Sequence, residues 1–123
     1  MRILYSDILP LALEEGKQTI LDCFIEQAQK ADSIEIAAGY ISNASLEELD
    51  ALVERYGISH VALTIGMYFI EGMPEKSYHA AMKLNQKWKE SGIGEIRLVR
   101  AFKYHGKIYS FIKDGVCFAT IIG

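Results

Sequence analysis

The chain has 123 residues, 50% of them hydrophobic and 24% charged, with 2 cysteines and a net charge of −3. That length suits one domain with one core, the composition lacks the bias of a linker or low-complexity segment, and the acidic balance excludes a surface wholly given to polyanions, since such binding neutralises many phosphates at once. No run approaches the roughly 18 apolar residues of a membrane span and no charged start leads into an apolar export segment, so the sequence reads as a cytoplasmic protein with no membrane partner.

In chain order, "KQTILDCFIEQAQK" predicts a helix with Ile20, Leu21, Phe24, Ile25 and Ala28 on one stripe, and "SIEIAAGYI" a compact strand. "SLEELDALVERYG" predicts a second helix: Ser45 and Glu48 stand at capping-box spacing, Leu49, Leu52, Val53 and Tyr56 share a face, and Gly57 stops it. "ISHVALTIG" is the next strand, "MYFIEGMPE" a loop, and "SYHAAMKLNQKWKES" a helix from Ser77 to a stop at Gly92, with Ala81, Leu84 and Trp88 facing the core. "EIRLVR" is a third strand. "HGKIYSFI" and "VCFATII" are a fourth and fifth, joined through Lys113-Asp114-Gly115, whose Asp-Gly step suits a tight hairpin. Strands alternating with helices imply an α/β domain with a mostly parallel sheet, to which the last hairpin adds antiparallel strands.

Most chemistry-bearing side chains have an ordinary explanation. Cys23 and Cys117 lie in apolar patterns without metal-ligand spacing and read as buried free thiols, so neither a metal nor a cofactor is implied. His60 opens an apolar strand and His79 falls in the first turns of a helix; both read as packed or surface histidines. Glu47, Glu48, Asp50 and Glu54 form a solvated helix face, and Gly66, Gly72, Gly92 and Gly94 are turn residues outside any phosphate-binding fingerprint.

"YHGKIYSFI" is different. Residues two apart on a strand point to the same side, so His105 and Lys107 stand together there, with Gly106 between them leaving room for close backbone approach. Five of the thirteen basic residues, Arg97, Arg100, Lys103, Lys107 and Lys113, fall between 97 and 113. A solvated strand edge accounts for that density, and so does a local phosphate contact.

An H-x-K strand followed by a strand ending in glycine resembles the phospholipase D superfamily, also called the HKD family. "IEIAAGYIS", "ALTIGM" and "HGKIYSFIKDG" together look most like its branch of metal-independent type II restriction endonucleases, over roughly residues 18 to 123. The resemblance implies a phospholipase D-like fold whose C-terminal hairpin carries the motif, and a phosphodiesterase acting on DNA through a phosphohistidine intermediate. It implies His105 as nucleophile, Lys107 as fixed charge and Gly123 as part of the phosphate pocket, with no cofactor. Two histidines are needed for that chemistry and the chain has one H-x-K, so the resemblance also implies a homodimer sharing one site.

The family's G-S-x-N motif matches only through Gly123, so the expectation is one nuclease domain over residues 1–123, cut within the motif and turning over little by itself. The family's fuller pattern places an aspartate five residues after the lysine. Here that position is Ile112, and Asp114 follows in the turn, which argues against a lipase. A phosphatidyl-transferring relative and a non-catalytic dimerisation or binding module are the alternatives.

Overall fold

The computed structural model describes residues 1–5, 16–68 and 72–123. Its elements are α1 (Ile20–Ala28), β1 (Ser33–Ala38), α2 (Asn43–Arg55), β2 (His60–Ile65), α3 (Glu75–Ser91), β3 (Gly94–Leu98), β4 (Lys107–Lys113) and β5 (Val116–Ile122). They build one five-stranded sheet in the order β3-β2-β1-β4-β5. The loop expected over "MYFIEGMPE" lies outside the described residues at 69–71.

The sheet is mixed rather than mostly parallel. β1 and β2, and β2 and β3, run parallel through helical crossovers, whereas β4 returns antiparallel beside β1 and carries β5 with it. The expectation treated the hairpin as an appendage. By docking next to β1 it places β1 between its parallel and antiparallel neighbours and makes half of the ladders antiparallel.

One face of the sheet holds the core. Ile34, Ile36 and Ala38 of β1 are buried at alternate positions, in register with Val61, Leu63 and Ile65 of β2, and Phe111 of β4 sits opposite Ile34. They form one cluster with Phe24 of α1, Leu46, Leu49, Leu52 and Val53 of α2, and Leu84 and Trp88 of α3. The Phe24 ring meets those of Tyr109 and Phe111 edge-on, at centroid distances of 5.8 and 5.1 Å.

Several local expectations shift. Helix α2 is capped by Ser42, whose hydroxyl accepts the Ser45 amide at 3.1 Å; Ser45 lies in the first turn, and the Ser45/Glu48 spacing is not the cap. Helix α3 starts at Glu75 because Pro74, which has no amide hydrogen to lose, stands at its N-cap. Ile20 and Leu21 are 45% and 40% exposed, and the buried positions of α1 are Cys23, Phe24, Gln27 and Ala28. Cys117 is exposed rather than buried: a register shift between Phe111 and Ile112 breaks the alternation of β5 along this edge strand. The hairpin turn is as expected, with Asp114 at φ 51° and Gly115 at φ 78°, the left-handed pair a two-residue turn requires.

Candidate functional site

The parallel strands β1, β2 and β3 end at one edge of the sheet, where antiparallel β4 begins and β5 ends. In open α/β sheets, ligands bind outside the carboxyl ends of parallel strands. Here β1 and β2 each run into a glycine, Gly39 and Gly66, and the ladder continues past them through Gly66 N–H to the Ala38 carbonyl (2.9 Å) and Met67 N–H to the Gly39 carbonyl (3.0 Å).

These glycines admit the approach to β4. The Tyr104 amide donates to the Gly66 carbonyl at 3.1 Å, and the Tyr104 backbone lies so close to Gly66 that a Cβ there would collide with it. One residue on, His105 rests on Gly39: a Cβ at Gly39 would come within 2.9 Å of the imidazole Cδ2 and 3.2 Å of the His105 Cα. The chain then passes Gly106, against which the Tyr104 ring folds, and enters the sheet at Lys107, opposite Ala38.

His105 therefore precedes the strand that was expected to include it. Its imidazole is exposed and stands edge-on to the Tyr40 ring, with centroids 5.8 Å apart and planes at 79°. Tyr40 is backed by Tyr68 at 5.1 Å and 78°, and the Tyr68 hydroxyl donates to the Ile41 carbonyl at 3.4 Å.

Lys107 is exposed, on the same face as Tyr109 and Phe111. Gly123 faces it across the hairpin: Lys107 N–H donates to the Gly123 carbonyl at 3.1 Å and Gly123 N–H to the Lys107 carbonyl at 2.9 Å. A Cβ at Gly123 would meet only the Lys107 Cβ, at 4.0 Å. His105, Lys107 and Gly123 thus share one edge. Beside Lys107 a cavity of about 570 Å³ opens between α1, α2, β1 and β4, with Ile20, Leu21, Tyr40, Ser42 and Tyr109 in its wall. Burial pushes the Tyr109 phenol above its ordinary pKa.

His60 is exposed at the start of β2, the opposite end of that strand from Gly66, and His79 is exposed on α3. Among the described residues no three His, Cys, Asp or Glu side chains converge as a metal cluster. What the sequence reading missed is the floor: Gly39 and Gly66 were read within strands or as turn residues, and Tyr40 as part of a strand. The signal was a glycine closing each of two parallel strands, in "IAAGY" and "LTIGM".

An imidazole held at a sheet edge can attack an electrophile or donate a proton, and an ammonium two residues on can neutralise a phosphoryl oxygen. Among known families, the model of the NgoFVII restriction endonuclease N-terminal PLD domain matches residues 18–123. None of the curated proteins matches the chain.

Proposed function

The chain belongs to the family of the NgoFVII restriction endonuclease N-terminal PLD domain, and from that membership we propose that it is a metal-independent phosphodiesterase acting on DNA, with His105 and Lys107 as its catalytic residues. The observation that carries the proposal is the convergence of His105, Lys107 and Gly123 at the carboxyl edge of the parallel strands.

In the proposed reaction a neutral His105 imidazole attacks phosphorus. A P–N bond forms, the P–O bond to the leaving strand breaks, and a second, protonated imidazole donates its proton to the departing oxygen. Water then attacks phosphorus and gives its proton to that second imidazole, which is now neutral, as the P–N bond breaks and His105 is released. Lys107 holds positive charge beside the non-bridging oxygens throughout, and the backbone at Gly123 leaves room for them. The second imidazole is His105 of another copy, brought to the same phosphate by a two-fold axis in a homodimer. His60 stands at the amino end of β2, the far end of that strand from Gly66 and the His105 edge, so it does not supply the second imidazole.

The test is cleavage of a DNA plasmid by full-length protein and its His105→Ala variant, with sedimentation to determine oligomeric state. Retained cutting by the variant would overturn the proposal, and a monomer that cuts normally would overturn the shared site. One observation favours a phosphatidyl substrate instead: the apolar cavity beside Lys107. Release of head group from phosphatidylcholine vesicles without DNA cleavage would select that reading.

A further inference from the structure

Between the last hydrogen bond of the β3 side and the entry to β4 the chain makes a short excursion, residues 100–103, anchored at both ends. Val99 N–H donates to the Ile65 carbonyl at 2.9 Å, and Tyr104 N–H donates to the Gly66 carbonyl at 3.1 Å, both at the carboxyl edge of β2. The excursion reads Arg-Ala-Phe-Lys, and all four residues are exposed. Phe102 stands out at its tip, with 60% of its surface exposed.

Burial does not explain a large aromatic side chain there, since Phe102 packs neither in the core cluster nor against it. Intramolecular pairing does not explain the cations either. Arg97, on β3, is bound to Glu95, whereas among the described residues no carboxylate pairs with Arg100 or Lys103. In a chain of net charge −3, this is a local basic and aromatic projection beside the candidate nucleophile.

We infer that residues 100–103 form a loop that engages the strand being cut: Arg100 and Lys103 contact the phosphates flanking the scissile one, and Phe102 packs against the face of an unstacked base beside it. The inference rests on the nuclease reading and goes beyond it by fixing the form of substrate. Three residues of extended chain span at most roughly 10 Å, so Phe102 lies within a nucleotide or two of a phosphate held at His105. Aromatic faces bind bases irrespective of sequence, and flexible cations track the backbone. A stacked duplex hides base faces, so the loop favours single-stranded or locally opened DNA.

The experiment measures binding of this chain to a fluorescein-labelled single-stranded oligonucleotide, and to the matching duplex, by anisotropy across a salt series. Arg100→Ala and Lys103→Ala should each weaken binding and lower the slope of log affinity against log salt by about one. Lys113→Ala, at the far end of β4, should leave the slope unchanged. Phe102→Ala and Phe102→Leu should each weaken single-strand binding about tenfold while leaving the salt slope alone, since leucine supplies apolar volume without an aromatic face. Phe102→Trp should restore binding, and its fluorescence should be quenched on adding DNA. Wild-type slopes in both cation variants, or equal binding by Phe102→Leu and wild type, would overturn the inference and leave the nuclease reading standing. Unchanged cleavage by His105→Ala with the loop effects intact would do the reverse, overturning the assignment of His105 and leaving strand binding by the loop standing.

Discussion

His105 lies directly on Gly39: a methyl group at residue 39 would stand 2.9 Å from the imidazole Cδ2 and 3.2 Å from the His105 Cα. The glycine is needed for that close approach. Gly39→Ala should therefore push His105 off the Tyr40 ring edge and lower the cleavage rate at least tenfold. The overpacking cost in stability should be about 1–3 kcal/mol. Cleavage assays paired with urea melts check this, and an alanine variant with full activity would show that the contact does not set the histidine's position.

Lys107 should contribute through charge. Lys107→Ala removes a fixed cation beside the phosphoryl oxygens, and losing one preorganised donor in comparable sites costs on the order of 10² to 10³ in rate. His60→Ala and His79→Ala should cut at wild-type rates, because both side chains are exposed and neither belongs to the H-x-K pair. Single-turnover rates of the three variants test the assignment.

Cleavage should continue in excess chelator. The proposed reaction takes its nucleophile from an imidazole and its charge from an ammonium, with no step that calls for a metal-bound hydroxide. Complete loss on chelation, restored by magnesium, would overturn the mechanism.

Away from the site, α2 and α3 are joined by Asp50, which accepts from the fully buried Trp88 Nε1 at 3.0 Å and from Lys87 Nζ. Asp50→Ala leaves the indole N–H without its partner and should cost about 1–3 kcal/mol in a urea melt. Hydrogen bonds to Asp50 and then Glu54 hold the Lys87 pKa above its ordinary value. That contribution is fully present below the ordinary lysine value and is lost as pH rises through the raised one. The wild-type advantage over Asp50→Ala should therefore narrow under strongly alkaline conditions.

Local features were legible in the sequence, and relations between distant segments were not. The apolar spacing of α2 and α3 and the Asp-Gly turn are written within a few residues, and they fold as read. The sheet is half antiparallel because β4 docks against β1, some seventy residues earlier, which no local pattern encodes. Ser45 imitates a cap because Glu48 follows it, yet Ser42 captures the free amide. Cys117 looks buried in "GVCFATII" because alternation takes no account of a bulge. At the site, H-x-K was readable, whereas the floor beneath His105 joins residue 39 to residue 105 and becomes visible only when β1 and β4 are neighbours.

The most direct measurement of the central claim is to trap the intermediate. Full-length protein quenched in denaturant during turnover of 5′-phosphorothioate- or ³²P-labelled DNA, then digested and analysed by mass spectrometry, should carry an acid-labile phosphorus adduct on the peptide containing His105, and none on peptides containing His60 or His79. DNA cut to completion with no phosphorus on His105 at any time point, or an adduct on another residue, would contradict the assignment of His105 as the nucleophile.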